Sequence, residues 1–249
     1  MLVFLSALFG LSLGSFANVC IYRIPRKLSV VHPRSFCPSC GRTLRWYELF
    51  PILSFVFLNR QCRTCRSRIP IRYPLVELAS GVTSLLMFFN CGLTADFIMK
   101  TVLFVLLMII AIIDWEFLII PNILVAAGLV LGVVDASLVS RLPIIAAFIS
   151  ALACGAMVFL VRVAGNAVYR KETMGLGDVK LAVLLGLFIG LPDFLLALWL
   201  AAALGIAYWL IRHLLSGADR ELKLPFGSFL AASSFLLYLA PVSAYPVLH

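Results

Sequence analysis

Charge is scarce in this sequence. Only 12% of its 249 residues are charged, with 11 Asp or Glu and 3 His, whereas 63% are hydrophobic. Soluble domains are about 45–50% apolar and about 25% charged, and a water-soluble fold of this size has too little interior for so much apolar surface. Lipid tails accept apolar side chains on every face of a helix, so the composition predicts an integral membrane protein.

The basic residues are unevenly placed. A net charge of +9 would suit a nucleic-acid-binding protein if the charges covered a soluble surface. Instead, eleven of the twenty Lys and Arg lie between Arg23 and Arg72. In a polytopic protein such a cluster marks a cytoplasmic loop, so the charge predicts membrane topology, with lipid and not nucleic acid as partner.

The first apolar run, residues 1–19, lacks the preceding basic residues of a secretory signal peptide. Positive charge follows the run instead. This order predicts an uncleaved first helix with its N-terminus outside and its C-terminal end in the cytoplasm.

Apolar runs predict about eight transmembrane helices, since a spanning helix needs roughly 20 mostly apolar residues. The sixth run is short, and we expect it to dip partly across or to begin in a polar pocket. Eight crossings put 18 of the 20 basic residues in the cytoplasm and leave Lys100 and Arg141 outside. The predicted fold class is therefore an all-α, polytopic membrane protein. The predicted spans are 2–22, 74–91, 95–114, 122–138, 143–163, 179–191, 194–211 and 226–239.

Four of the seven cysteines form two C-x-x-C pairs in the basic loop, separated by 21 residues. Two such pairs fit a tetrahedral zinc site, and Gly41 directly follows the first pair, as such turns often require. Two disulfides or unrelated thiols are the alternatives, although a reducing cytoplasm disfavours disulfides. Four sulfurs leave no position for water, so the predicted zinc is structural. The predicted ligands are Cys37, Cys40, Cys62 and Cys65.

Two acidic residues lie at the edges of long apolar runs. Asp114 ends the run 102–113, and Asp178 opens another after Gly175 and Gly177. A carboxylate there is costly and is a functional candidate, and the topology puts both on the cytoplasmic side. Two carboxyls sharing a proton predict an aspartic-protease dyad, in which one takes a proton from water and the other donates one to the scissile carbonyl. We expect the glycines to permit a sharp bend and close approach of a substrate strand.

Helix capping is the alternative for these aspartates. Asp178 is suited to cap the helix that follows it. Asp114 gains nothing in that way, because the helix dipole disfavours negative charge at a C-terminal end. The residues by themselves leave the dyad and the capping interpretation open.

Motifs along nearly the whole chain resemble the type IV prepilin peptidase family of bacteria. They are the first-helix segment 14–25, the double C-x-x-C loop with segment 47–54 between its pairs, segment 72–78, Asp114 with Pro121-Asn122, segment 174–180 and segment 224–230. The last motif departs from the commoner form at Ser228, where proline is frequent. We expect no loss of activity from this difference.

The resemblance implies an enzyme that cuts the basic leader from prepilins and pseudopilins, usually after a glycine, at the cytoplasmic face of the bacterial inner membrane. Many such enzymes then methylate the new N-terminus with S-adenosylmethionine. The sequence has no glycine-rich cofactor loop of its own, so methylation rests on the resemblance alone. The implied catalytic residues are Asp114 and Asp178, with Gly175, Gly177, Lys180 and Glu48 in support.

The expected domains are the first helix (1–22), the four-cysteine loop associated with methylation (23–73) and the membrane peptidase (74–249). The alternative is cleavage only, with the loop as a structural brace. Presenilin-type G-x-G-D proteases carry Tyr before the first aspartate, where this chain has Ile113. A proton-coupled transporter would place its carboxylates near the membrane midplane.

Overall fold

The computed structural model describes residues 1–139, 143–216 and 224–239. Helices make up most of this part of the chain, and the predicted all-α fold class is confirmed. The loop between the first two long helices contains a 3-10 turn, Trp46–Leu49, and two isolated antiparallel bridges, Phe36 with Thr43 and Gln61 with Arg68. The α-helices are α1 (Leu2–Arg23), α2 (Leu53–Phe57), α3 (Arg72–Cys91), α4 (Ala95–Phe117), α5 (Asn122–Leu138), α6 (Ile144–Tyr169), α7 (Leu176–Ser216) and α8 (Phe226–Leu239).

Every predicted span coincides with one of these helices, and the predicted sixth and seventh spans share α7. This 41-residue helix is interrupted at Gly190, whose φ of 74° and ψ of 171° are not helical, and Pro192 follows. The helices α1, α3, α4, α6 and α7 are long and apolar enough to cross a membrane, whereas α5 and α8 are shorter. The multi-pass membrane architecture is thus confirmed, and the count of eight crossings stays a prediction.

Several helices extend beyond the predicted spans. Helix α4 continues three residues past Asp114, and α6 continues to Tyr169. A helix loses nothing by continuing into the headgroup region, since its backbone hydrogen bonds are internal and its polar side chains reach water there. Of the basic residues that define the predicted charge asymmetry, Arg141, Arg220 and Lys223 lie outside the described residues.

Residues Met1–Ile109 form one compact unit, in which α1 packs against α3. Small residues allow the two backbones to approach closely, as is common between membrane helices. A Cβ at Gly14 would lie 2.7 Å from the Cα of Glu77, and the Ser84 hydroxyl donates to the carbonyl of Ser6 over 2.7 Å. The predicted domain division at residue 73 stays a prediction.

The second compact unit begins at Ile110, within α4. Helix α7 is its centre and packs against α5, α6 and α8. Its buried face includes Leu181, Leu184 and Phe194, which are fully shielded from solvent. A Cβ at Gly186 would lie 2.8 Å from the Cα of Ala151, so glycine permits the close contact of α7 with α6. This packing fixes the first turn of α7, which carries Asp178.

Candidate active site and metal centre

Asp114 lies in the last turn of α4 and is 6% exposed. Its carboxyl meets the first turn of α8. The backbone N–H of Ser228 donates to Asp114 Oδ2 over 2.9 Å, and the Ser228 hydroxyl lies 3.2 Å from the same oxygen. The first N–H groups of a helix have no partner within the helix, so this end of α8 offers donors to an acidic group.

Asp178 lies in the first turn of α7 and is 9% exposed. Since α7 begins at Leu176, Asp178 is inside the helix and is not its N-cap, although a carboxylate in the first turn still gains from the helix dipole. The carboxyls of Asp178 and Asp114 are close enough for their charges to interact. The structure therefore brings together the two aspartates predicted as a dyad, and their catalytic role stays a prediction.

The glycines around these aspartates allow close packing. A Cβ at Gly177 would lie 3.0 Å from the Cβ of Ile120, and one at Gly227 would lie 2.8 Å from Cδ1 of the same isoleucine. Gly175 has more room, since its nearest atom would be Asp178 Oδ2 at 3.5 Å. Neither Gly175 nor Gly177 has a positive φ, and Gly177 lies inside α7, so it is not the site of a sharp bend. A bend at Gly175 stays a prediction. Gly177 instead makes room for the Ile120 side chain.

Two basic residues hold the segment that carries Asp178. Lys180 Nζ donates to Asn122 Oδ1 over 2.8 Å and so connects the start of α7 to the start of α5. Arg162 Nε donates to the carbonyl of Met174 over 2.9 Å and fixes the approach to α7 from α6. Lys180 contacts Asn122, and its predicted support of the site stays a prediction.

Ser228 and Gly227 contact Asp114, although the sequence pattern predicts no role for either at the site. Ser228 donates to Asp114, and a Cβ at Gly227 would come within 3.0 Å of Asp114 Oδ2. Both lie just after Pro225, at the start of a helix whose first N–H groups lack partners. That position is a signal for a nearby acceptor, but nothing in the sequence identifies the acceptor, which lies 114 residues away.

The four loop cysteines form a cluster that can bind a metal. Their sulfur atoms all lie within 4.8 Å of one another, and Cys37 and Cys65 have sulfurs 3.8 Å apart. All four are free thiols, so the disulfide alternative is wrong. Two of the cysteines are buried and two are exposed, and their four sulfurs point to one place. Four such sulfurs are the donor set expected for a closed tetrahedral site.

Both C-x-x-C pairs form the same turn. In the first, the N–H of Gly41 donates to the carbonyl of Cys37 over 2.9 Å, and in the second Arg66 donates to Cys62 over 2.9 Å. Gly41 has a φ of 72°, and Arg66 has a φ of 55°. Gly41 thus has the left-handed conformation that glycine adopts most easily. The second turn places a residue with a Cβ in the left-handed region, which is less favourable.

The thiol chemistry of the cluster suits a metal ligand. Burial disfavours ionisation of Cys37, but hydrogen bonds from the backbone of Cys40 and Ser39 and from the Ser67 side chain outweigh it and lower the pKa of Cys37 to about 6. Hydrogen bonds from the side chain and backbone of Ser67 also lower the pKa of Cys65. Thiolate is the form that binds metal, so these hydrogen bonds favour the ligating state at Cys37 and Cys65. At Cys40 a backbone hydrogen bond from Arg42 is outweighed by desolvation and by hydrogen bonds with the neighbouring cysteines, which raise the pKa of Cys40 to about 11.

Glu48 is buried in the same loop and is 6% exposed. Arg42 Nη2 donates to Glu48 Oε1 over 2.7 Å, and the N–H of Arg45 donates to Glu48 Oε2 over 2.7 Å. The hydrogen bond from Arg42 holds the pKa of Glu48 below its usual range. Since Arg42 directly follows Gly41, this ion pair connects the first cysteine turn to the 3-10 helix.

Beside Glu48 the loop contains a cavity of about 510 Å³. Aromatic and aliphatic side chains form most of its lining, and one guanidinium, that of Arg63, adds positive charge. Arg63 donates to the Tyr47 hydroxyl over 2.8 Å. The volume is within the range of small-molecule sites, about 300–1,000 Å³. Lining residues include Tyr47, Glu48, Phe50, Leu53, Phe57 and Arg63.

Two family models match this chain. Residues 8–91 match the bacterial peptidase A24 N-terminal domain, and residues 101–210 match the type IV leader peptidase family. The first match covers the loop with its four cysteines, and the second covers both aspartates.

Similar proteins include three named prepilin leader peptidase/N-methyltransferase. That of Myxococcus xanthus is 38% identical over 223 residues, which are 86% of this chain and 64% of the relative. That of Bacillus subtilis is 34% identical over 232 residues, 93% of this chain and 92% of the relative. That of Pseudomonas aeruginosa is 29% identical over 266 residues, 95% of this chain and 90% of the relative. No solved structure matches the chain significantly.

Proposed function

Because the chain belongs to the type IV leader peptidase family, we propose that it cleaves the basic leader from prepilins or pseudopilins and then N-methylates the new N-terminus. One observation carries the peptidase proposal. Asp114, at the end of α4, and Asp178, at the start of α7, are both buried, and the glycines in contact with Asp114 and next to Asp178, Gly227 and Gly177, both pack against Ile120. Two carboxyls in this relationship have the chemistry of an aspartic dyad.

In this mechanism the pair holds one proton between Asp114 and Asp178. The ionised carboxylate takes a proton from water, and the resulting hydroxide adds to the scissile carbonyl carbon while the other carboxyl donates its proton to the carbonyl oxygen. When the C–N bond breaks, the carboxyl that took the proton from water gives it to the leaving nitrogen, and a hydroxyl of the tetrahedral intermediate returns a proton to the other carboxylate, which restores the shared proton. Over one cycle the peptide bond and one water molecule are consumed, and the dyad returns to its starting protonation state.

We place the enzyme in the bacterial inner membrane, with its N-terminus outside and the cysteine loop in the cytoplasm. The charge distribution supports this orientation, since eleven basic residues lie between Arg23 and Arg72. A prepilin has its basic leader in the cytoplasm and its hydrophobic helix in the membrane. The scissile bond lies at their junction, so an active site at the cytoplasmic membrane edge meets its substrate without water deep in lipid.

For the cysteine cluster we propose zinc in a structural role. Four sulfurs within 4.8 Å of one another are the donor set that zinc prefers, and they leave no open position for catalysis. The loop has little apolar core of its own, because α2 is only five residues long and has no buried residue. A metal that links both turns then supplies the stability that packing does not.

S-adenosylmethionine, the proposed methyl donor, fits the loop cavity. The aromatic rings of Tyr47, Phe50 and Phe57 offer faces for an adenine or a sulfonium cation, and the Arg63 guanidinium suits the carboxylate of the methionyl group. When bound, the donor supplies an electrophilic methyl group. The ion pair of half-buried Arg42 with buried Glu48 fixes the 3-10 helix that carries Tyr47.

Cleavage without methylation is the second candidate function, with the loop as a brace. The ion pair from Arg42 to Glu48 favours it, because this pair organises the loop whether or not a donor binds. Co-expression of the chain with a candidate prepilin, followed by mass spectrometry of the pilin N-terminus, distinguishes the two. We expect loss of the leader together with a gain of about 14 Da from the added methyl group. A cleaved, unmethylated pilin supports the brace, and an intact prepilin contradicts both functions.

A further inference from the structure

Glu77 is a carboxyl buried inside a membrane helix. It lies in the second turn of α3 and is 9% exposed. Its Oε2 accepts the backbone N–H of Ile52 over 2.8 Å, and its side chain also hydrogen-bonds with that of Ser15 in α1. Among the described residues, no Lys or Arg forms an ion pair with it. A carboxylate accepts about four hydrogen bonds, and one inside a membrane segment marks a candidate binding site.

Asn18 of α1 carries a second acceptor at the same helix contact. The residue is 2% exposed, and its Nδ2 donates to the carbonyl of Tyr73 over 3.0 Å. This bond fixes the orientation of the amide, because exchange of its O and N would place two oxygens together. Within the described part of the chain, Oδ1 of Asn18 is buried and has no hydrogen-bond partner. A buried acceptor of this kind is costly, so it indicates a donor that the chain itself does not supply.

The packing of α1 on α3 brings these two acceptors near each other. Ser15 and Asn18 are three residues apart on α1, and Tyr73 and Glu77 are four apart on α3, so each pair shares a face of its helix. Ser15 contacts Glu77, and Asn18 contacts Tyr73. The carboxyl of Glu77 and the free amide oxygen of Asn18 therefore belong to one interhelical contact, about one helical turn apart.

Ile52 separates this contact from the loop cavity. Its N–H donates to Glu77, and the next residue, Leu53, lines the cavity beside Glu48. Ile52 has a φ of 60° and a ψ of −47°, and the N–H of Leu53 donates to the carbonyl of Pro51 over 2.5 Å. A γ-turn with positive φ is rare and strained, above all at a β-branched residue. Replacement of the Ile52 N–H by another donor to Glu77 would allow this turn to relax.

The chemistry of the two acceptors selects a cationic donor. A primary ammonium offers three N–H donors and no acceptor, and its hydrogen bonds to a carboxylate are stronger than those of a neutral N–H. In the proposed function, leader cleavage leaves such a group at the new N-terminus of the pilin. Glu77 lies about 8 Å along α3 from its start, which the proposed orientation puts at the cytoplasmic membrane edge. The new N-terminus lies at the same edge.

We propose that Glu77 and Asn18 bind the N-terminal ammonium of the cleaved pilin, next to the cavity proposed for the methyl donor. The inference rests on the proposed methylation and adds to it the site of the methyl acceptor. The ammonium replaces the Ile52 N–H at Glu77 and donates a second hydrogen bond to Asn18 Oδ1. Release of Ile52 removes the strained turn between acceptor site and donor cavity.

The test compares two synthetic pilin N-terminal peptides, one with a free amine and one acetylated, which lacks the ammonium. Each carries a fluorophore at its C-terminus, and anisotropy measures its binding to the purified full chain in detergent. We expect the free amine to bind about 30-fold more tightly than the acetylated peptide. Glu77→Gln keeps an acceptor for the Ile52 N–H but removes the charge, so this ratio should fall to about threefold. Asn18→Ala should also lower the ratio, about threefold.

Ser84→Ala is the matched control. Its hydroxyl is buried in the same contact between α1 and α3, but it donates to the carbonyl of Ser6 over 2.7 Å. We expect it to lower thermal stability and to leave the ratio of the two affinities unchanged, because a smaller folded fraction weakens both peptides equally. In methylation assays, Glu77→Gln should raise KM for the free-amine peptide about tenfold and leave the affinity for S-adenosylmethionine unchanged.

Failure of the inference can be told apart from failure of the proposed function. If the unsubstituted chain does not methylate the free-amine peptide, the proposed methylation and the inference are both wrong. If it does, but Glu77→Gln keeps the full ratio, another acidic site binds the amine and the inference alone is wrong. Equal weakening of both peptides by Glu77→Gln would make Glu77 a brace for the loop. A ratio near one in the unsubstituted chain overturns the inference without any variant.

Discussion

Gly227 lies directly against the carboxyl group of Asp114. A Cβ at Gly227 would come within 3.0 Å of Asp114 Oδ2 and 2.8 Å of Ile120 Cδ1. Neither neighbour is free to move away, since Asp114 accepts the Ser228 N–H and Ile120 also packs on Gly177. A methyl group here must displace the aspartate or the start of α8.

We therefore expect Gly227→Ala to lower cleavage at least tenfold, because small displacements of a catalytic group have large effects on rate. Gly205→Ala is the control. Its nearest atom would be Phe229 Cδ2 at 3.8 Å, which is ordinary contact, and alanine favours the helix. The measurement is initial rate of prepilin cleavage at equal amounts of folded enzyme. Equal rates for both variants would show that the contact at Gly227 is unimportant.

Purified protein should contain about one zinc per chain if the four cysteines are the ligands. Cys37→Ser should lower the zinc content and make the loop sensitive to protease. Cys91→Ser is the control, because Cys91 belongs to α3 and should leave the zinc unchanged. Elemental analysis and limited proteolysis measure both outcomes. A metal-free chain with an intact, protease-resistant loop contradicts the zinc site.

Arg66 offers a way to strengthen the site. It occupies in the second cysteine turn the left-handed position that Gly41 occupies in the first. Arg66→Gly should relieve about 1 kcal/mol of backbone strain and slow zinc loss to a chelator roughly fivefold. Arg66→Ala removes the same charge but keeps the Cβ, so it should not slow the loss. Equal rates for the glycine and alanine variants would indicate that charge, and not backbone conformation, controls metal retention.

Glu48 distinguishes a methylation site from a brace. Glu48→Gln removes the charge paired with Arg42 and should disturb the loop cavity. If the loop serves methylation, the methylated fraction of a co-expressed pilin should fall several-fold while the cleaved fraction stays near normal. Glu172→Gln is the control, since its side chain is 87% exposed in its pair with Arg162. Parallel losses of cleavage and methylation in Glu48→Gln would favour the brace.

The parts of the fold that follow from local pattern were predictable. Apolar runs located every helix from α3 to α8, and the gap between the predicted sixth and seventh runs, at 192–193, fell two residues after the interruption at Gly190. Two carboxylates at the edges of apolar runs were recognisable because each is costly in lipid. The C-x-x-C spacing and Gly41 likewise predicted one cysteine turn, since the geometry involves neighbours in sequence.

Contacts between distant segments were not predictable in this way. Ser228 looked interchangeable with proline in the sequence, yet its N–H is a donor to Asp114. The left-handed Arg66 carries no compositional signal, since glycine is the residue that marks such turns. Gly177 was assigned a bend, but its role depends on Ile120, which reaches it only after α7 packs in place. The hydrophobic pattern of the sequence predicts where the helices are. Which residues a side chain contacts depends on how those helices pack against one another.

The dyad itself is tested most directly by conservative substitution of each aspartate. Asp114→Asn and Asp178→Asn keep the shape of the side chain but remove the carboxyl that exchanges a proton with water. Asp193→Asn, in the same helix as Asp178, is the control. Each variant is co-expressed with a prepilin, its membrane insertion is verified, and the cleaved fraction is measured by mass spectrometry.

We expect cleavage to fall at least 1,000-fold in both dyad variants and to remain normal in Asp193→Asn, since neither carboxyl of a proton-sharing pair can be replaced by the other. A synthetic, pre-cleaved pilin N-terminus should still be methylated by Asp178→Asn, because methyl transfer needs no aspartate dyad. Retention of cleavage by either Asp114→Asn or Asp178→Asn, in protein that is inserted and folded, would contradict the aspartic mechanism.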